Sequence, residues 1–265
     1  VNKAAKVAEK AGLKHHVKII SKQEFWDALP DVMYHMDEPL GDASAVALYF
    51  LSKEAAGHVK VVLSGEGADE LFGGYNIYRE PESLKKIDWI PFGVRRVIGK
   101  LAAKLPDVKG RDFLIRAGMK VEERFIGNAY IYREKEKAQI LKNKVTGPST
   151  QEYLRPFFEE LESENRESLQ DMEKMQSVDL SYWLPGDILQ KADKMSMAHS
   201  LEVRVPFLDK EVFDFAAKLP KEAKIAAGTT KYIFRKAVSE FLPQETDERK
   251  KLGFPIPIRV WLRQD

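Results

Sequence analysis

The chain has 265 residues with 43 Lys and Arg against 41 Asp and Glu, a formal charge of +2. At 44% hydrophobic and 32% charged residues it has the composition of a globular protein with a sizeable core, which excludes global disorder. Zero cysteines exclude disulfides and thiolate chemistry, and the longest mostly apolar run, Ala43 to Leu51, is far short of the roughly 18 residues of a membrane span. The charged start Val1-Asn2-Lys3-Ala4-Ala5-Lys6 does not read as a secretory leader, and the lack of cysteine fits the expectation of a reducing cytoplasm. Near-neutral charge gives no global reason to expect nucleic acid or a membrane as partner.

Residues 3–11 read as an Ala/Lys-rich helix stopped by Gly12, and His15 to Ile20 as a short β-branched strand bounded by Ser21. A helix follows from Glu24 to Met36, stopping near Pro39, and another from Ser44 to Ala56 with Gly57 as its stop. Val59-Lys60-Val61-Val62-Leu63 is the best strand signal and runs straight into Ser64-Gly65-Glu66-Gly67, after which Ala68 to Phe72 starts a helix. This alternation of helices and apolar strands predicts an α/β fold with a partial parallel sheet covered by helices.

From about residue 76 the strand signals stop, and helical periodicity covers 95–104, 111–143, 150–183, 187–199, 209–218 and 229–241. Pro91, Pro106, Pro148, Pro185, Pro206 and Pro243 interrupt it. The chain therefore divides into an α/β portion over 1–80 and a largely helical portion over 81–265. The tail Gly253 to Ile258, with Pro255 and Pro257, is expected to be extended and either to pack on the body or to close over a site. From Lys85 to Lys120 ten basic residues meet three acids, and from Gln151 to Met175 eight acids meet three bases. These runs read as solvated helix faces that could face each other, rather than as binding patches.

The strongest candidate site is Ser64 to Tyr75. In parallel sheets ligands bind where a strand turns into a helix, and here Gly65 and Gly67 let backbone approach a ligand while the new helix offers N–H groups to an anion. Glu66, Asp69 and Glu70 put three carboxylates in five residues, unlike a plain phosphate cradle. One carboxylate on Mg²⁺ and another moving a proton or holding an ammonium would suit them, and so would acids that merely decorate a helix N-terminus. A second candidate is the stripe Asp187, Lys191, Lys194, with Asp187 as an N-cap after Pro185-Gly186; a surface i,i+4 ion pair is the plain alternative. Glu202-Val203-Arg204 reads as an extended segment holding a buried Glu–Arg pair. A third is the basic set Lys231, Arg235, Lys236 and Arg249-Lys250-Lys251, weak in isolation. His15, His16, His35, His58 and His199 show no helical metal-ligand spacing, so no zinc is expected.

In this order, Asp37-Glu38-Pro39-Leu40-Gly41-Asp42-Ala43-Ser44, Leu63 to Tyr75, Ser196 to Asp209, Lys231-Tyr232 with Arg235-Lys236, and Lys250 to Phe254 resemble the synthetase domain of glutamine-hydrolysing asparagine synthetases. Residues 76–180 carry little of the resemblance. It implies a sheet of the adenine-nucleotide α-hydrolase type and an ATP-dependent ligase that adenylates the aspartate side-chain carboxylate, which ammonia then converts to asparagine with release of AMP. On that resemblance Ser64, Gly65 and Lys231 contact the nucleotide, Asp69 holds Mg²⁺, Glu66 handles ammonia and Lys251 stabilises the phosphates. Gly67, Asp187 and Lys191 fall to the substrate.

The family's glutaminase domain with its N-terminal Cys, and its Ser-Gly-Gly-x-Asp-Ser loop, are expected upstream in a larger protein. The chain by itself is then expected to be inactive, and the open sheet edge to self-associate or take a partner segment. Other readings are an adenylating β-lactam synthetase or amidotransferase acting on another carboxylate, a non-catalytic interaction domain, and nucleic-acid binding through residues 85–120.

Overall fold

The computed structural model describes residues 2–39, 41–128, 132, 134–143, 147–164, 169–243 and 256–263. Helix α1 (Asn2–Lys10) stops at Gly12, whose φ of +65° is the left-handed conformation of a helix end. Helix α2 (Lys22–Met36) begins with a capping box in which Ser21 Oγ accepts from Glu24 N–H and the Glu24 carboxylate accepts from Ser21 N–H. Hydrogen bonds from Lys18 and from Ser21 hold that carboxyl down at a pKa of about 2.

Between these helices residues 13–20 form no regular structure, which overturns the strand expected at His15 to Ile20. A strand needs a neighbour to complete its ladder, and no described segment pairs with this one. Helix α3 (Ser44–Ala56) ends at Gly57, β1 (Val61–Leu63) follows, and the turn leads into the short α4 (Ala68–Phe72), all as the sequence predicts.

The middle of the chain is helical: α5 (Glu80–Leu84), α6 (Phe92–Ala102), α7 (Arg111–Ala117), α8 (Val121–Arg124), α9 (Glu134–Ile140), α10 (Thr150–Glu164) and α11 (Asp171–Val178). The single helical stretch expected over 111–143 is broken. Gly118 ends α7 where a Cβ would lie 2.6 Å from the Arg95 carbonyl oxygen, so α6 and α7 meet backbone to backbone there. Gly127 turns the chain again with φ +98°.

Asp179–Leu189 forms a π-helical stretch between α11 and α12 (Gln190–Met197). This corrects the expected break at Pro185 and the N-cap role of Asp187. The wider π turn accommodates a proline that lacks the N–H of an α turn.

Beyond α12, β2 (Glu202–Arg204) pairs in parallel with β1 in the register Val61↔Glu202, Val62↔Val203, Leu63↔Arg204. Strand structure therefore returns after residue 76, contrary to the sequence reading. Glu202 and Arg204 are exposed and 3.7 Å apart, so the expected buried pair is a surface one. Helices α13 (Lys210–Ala217), α14 (Lys221–Lys224) and α15 (Tyr232–Val238) complete this region.

Residues 1–74 and 184–265 form one compact unit and residues 75–183 another, a division that differs from the one at residue 80 because β2 and α12 return to the elements of the first 74 residues. The core of the first unit gathers Phe25, Ala28, Val32 and Met36 of α2, Ala45 and Val46 of α3 and Met195 of α12. Ile256, Ile258 and Trp261 pack against it, so this part of the tail lies on the body; Ile258 already opens a short helix to Trp261 rather than extending. The second unit is tied by ion pairs. Arg116 and Arg124 share Glu80, Arg124 also reaches Asp171 at 2.6 Å, and Lys174 bridges Glu122 and Glu162.

Candidate active site

The turn after β1 is pinned from both ends. Ser64 N–H donates to the Arg204 carbonyl at 2.8 Å, extending the β1–β2 ladder by one bond into the turn. Gly67 has φ +88°, and a Cβ there would overlap the Leu208 side chain, 2.8 Å from its Cγ. A glycine is therefore required at 67 on both backbone and packing grounds. Within the turn Ser64 Oγ donates to Glu66 Oε2, which fixes that carboxylate.

On α4 the Asp69 carboxylate meets Lys231 Nζ at 2.9 Å, with both side chains largely buried. Gly74 makes room for them: a Cβ on it would overlap Asp69 Oδ1 and lie 2.8 Å from Lys231 Cε. Lys231 itself holds the left-handed conformation, φ +52°, where a residue with a Cβ is strained by about 1–3 kcal/mol. The strain is sustained by the packing of α15, whose Phe234 sits 5.5 Å from Phe72 of α4 and 5.3 Å from Phe207 after β2. Three segments far apart in sequence are locked by this aromatic triangle, and Lys231 is delivered to Asp69 by it. Helix α4 has five residues, so its dipole is small and Lys231, not the helix terminus, is the positive group of this turn.

A second polar cluster joins α12, with the residues just before it, to the loop at 37–44. Lys191 Nζ donates to Asp42 and, at 3.1 Å, to Asp187 Oδ2; Lys194 pairs with Asp37; Gln190 donates to Glu38. Asp187 and Lys191 are both buried, so the plain reading of a surface pair does not hold. Burial raises the Asp187 pKa, opposed by Lys191. Asp42 also feels burial, but hydrogen bonds from Lys191 and Ser44 outweigh it and keep its carboxyl below the usual range. Two carboxylates around one ammonium leave this cluster with an excess negative charge at neutral pH.

His199 packs 4.4 Å from the Tyr49 ring, and burial, with the charges of Lys53 and His35, lowers its pKa. It is a neutral packing group.

The structure thus brings Asp69 to Lys231, Ser64 to Glu66 and Asp187 to Lys191. Gly65 faces open space, with nothing within 4 Å of a Cβ built on it. Lys251, with Arg249 and Lys250, lies outside the described residues. Sequence reasoning missed the roles of Asp42, Gly74 and Leu208. Only the conjunction of Asp42 in the 37–44 motif with the 187–194 stripe could have signalled the first, and the contacts that make Gly74 obligatory are tertiary.

The asparagine synthase family profile matches residues 1–265. The chain is 48% identical over 266 residues to glutamine-hydrolysing asparagine synthetase 1 of Bacillus subtilis, spanning all of this chain and 41% of that protein. It is 45% identical over 264 residues to a putative glutamine-hydrolysing asparagine synthetase of Mycobacterium tuberculosis, spanning 99% of this chain and 40% of that one. A more distant relative is a protein named Amidase chry2 from Gibberella zeae, 25% identical over 280 residues. The chain spans about two fifths of the length of the curated relatives it matches.

Proposed function

The chain belongs to the asparagine synthase family, and on that premise we propose that it carries the ligase step in which a carboxylate is activated by ATP and amidated by ammonia. The acceptor is the side chain of aspartate. Its carboxylate oxygen attacks the α-phosphorus, pyrophosphate leaves, and ammonia then attacks the acyl carbon to displace AMP, losing a proton, to give asparagine. The observation that carries this reading is the Asp69–Lys231 pair lodged against Gly74 at the carboxyl end of β1. Parallel sheets bind ligands at that end, in keeping with a sheet of the adenine-nucleotide α-hydrolase type.

The residues fit the groups they would receive. Lys231 is a point charge suited to phosphate oxygens, and the Asp69 carboxylate is a hard oxygen ligand suited to Mg²⁺. Mg²⁺ would supply neutralisation of phosphate charge. Ser64 and Gly65 flank the open side of the turn and would contact the nucleotide, with Lys251 as a further phosphate ligand. Glu66, oriented by Ser64, would receive the proton or the ammonium of the incoming nitrogen. Gly67 keeps the backbone close to the substrate. The excess negative charge of the Asp42–Lys191–Asp187 cluster suits the α-ammonium of aspartate, with Lys191 holding the two carboxylates in place.

The whole protein is expected to form asparagine, AMP and pyrophosphate in equal amounts from aspartate, ammonia and ATP with Mg²⁺. Glu66→Ala should lower amide formation while leaving ATP binding intact. Pyrophosphate release with another carboxylate but not with aspartate would replace the acceptor, and no carboxylate-dependent release would overturn the reading.

A further inference from the structure

His16, Glu54 and His58 come together on the surface of the first unit, and nothing in the ligase reading uses them. Glu54 sits in the last turn of α3 and His58 four residues on, just past the Gly57 stop, so both point from the same helix end. His16 arrives from the irregular segment 13–20. Its Nδ1 lies 4.0 Å from Glu54 Oε1, His58 Nε2 lies 3.4 Å from the same oxygen, and the two imidazole rings are 4.2 Å apart. One ligand atom from each of the three residues falls within 4.8 Å of the others.

We propose that these three side chains form a binding site for a divalent transition metal, with Zn²⁺ as its best-suited occupant. Two imidazoles and one carboxylate are a borderline donor set, which selects Zn²⁺ and its first-row neighbours over Mg²⁺ or Ca²⁺. Ligand atoms about 2.1 Å from a tetrahedral ion stand about 3.4 Å apart. The observed spacing reaches that by small side-chain rotations, for which these exposed groups have room. Three protein ligands leave the fourth position to water. The location helps as well: carbonyl groups at the C-terminus of α3 carry partial negative charge that favours a cation. Because His16 belongs to a segment that pairs with no described strand, a bound ion would tether that segment to α3. The sequence hid this site because only Glu54 and His58 are close in the chain.

Titration calorimetry of the purified chain with ZnCl₂ in the presence of excess Mg²⁺ tests the proposal. One Zn²⁺ is expected to bind per chain with no competition from Mg²⁺, and Zn²⁺ should raise the melting temperature. His16→Ala, in the irregular segment, and Glu54→Gln should each weaken Zn²⁺ by tenfold or more, since loss of even an outer partner of a metal site costs 10–100-fold. His15→Ala should bind as the parent does. Cobalt substitution should give the intense visible absorption of a four-coordinate ion. Absence of zinc binding, or zinc binding unchanged in His16→Ala and Glu54→Gln, would overturn the proposal.

Discussion

The two compact units use buried polar groups in opposite ways. In residues 75–183, Asp179 is fully buried, yet it accepts from Tyr78 Oη at 2.6 Å, from Asn128 N–H at 3.1 Å and from the Asn128 amide at 2.6 Å. Arg116 and Arg124 likewise converge on Glu80. These groups are matched donor to acceptor, and they hold helices together. In residues 1–74 with 184–265, groups that are buried or half-buried are held at a cost: Lys231 in a strained backbone, Asp187 with its pKa pushed up by burial, Gly67 and Gly74 where no other residue fits. Matched networks serve stability, whereas strained and crowded ones persist where chemistry requires them. The motifs that resemble the asparagine synthetases fall almost entirely in the second kind of region.

The largest expected effect that would sharpen this contrast is on turnover. Lys231→Ala in the whole protein should lower pyrophosphate formation by about 100-fold or more, as removal of one preorganised charge stabiliser does. Its stability should fall by about 1 kcal/mol at most, because Asp69 loses its partner but keeps partial access to solvent, and alanine is no worse in that backbone conformation. A matching loss of stability would erase the distinction between the units.

Next comes Asp179→Ala, expected to destabilise by about 3 kcal/mol through the buried donors it leaves unpaired, read from denaturant unfolding. The turnover of the remaining folded protein should be unaffected.

Smaller is the pH response of Asp187. A carboxyl whose folded pKa is raised binds its proton more tightly in the folded state, so stability rises as pH falls through the raised folded value to the ordinary carboxyl range of the unfolded chain. Asp42, held low, acts the other way: its contribution is present above the unfolded carboxyl pKa and is lost as pH falls through the lower folded value. Asp187→Asn should flatten the gain on mild acidification and leave stability at pH 7 unchanged or raised by about 1 kcal/mol at most, while amide formation falls. Unfolding curves between pH 7 and pH 4 would show it. Smallest is Lys210→Ala, which breaks an exposed i,i+4 pair with Asp214 and should change stability by no more than about 0.5 kcal/mol.

Much of the first unit was legible in the sequence because its signals are local. Gly12, Gly57 and the Val61 to Gly67 run each announce a start or stop within a few residues. Most of the failures are nonlocal. His15 to Ile20 has strand composition but pairs with no described segment, and Glu202 to Arg204, legible as an extended segment, becomes a strand only by pairing with β1. Pro185 looks like a break until the π turn accommodates it. Lys191 finds Asp42 across 149 positions, a contact that no spacing rule reaches. Asp69 and Lys231 were each legible as candidates, but the strain and crowding that join them were not.

Asp69→Asn in the whole protein is the most direct test of the turn after β1 as the nucleotide and metal site, because it keeps the shape and removes the charge. The measurement is aspartate-dependent exchange of labelled pyrophosphate into ATP at a fixed Mg²⁺ concentration. The exchange rate is expected to fall by about 100-fold or more with the fold intact by circular dichroism. Exchange at the parent rate would contradict the account.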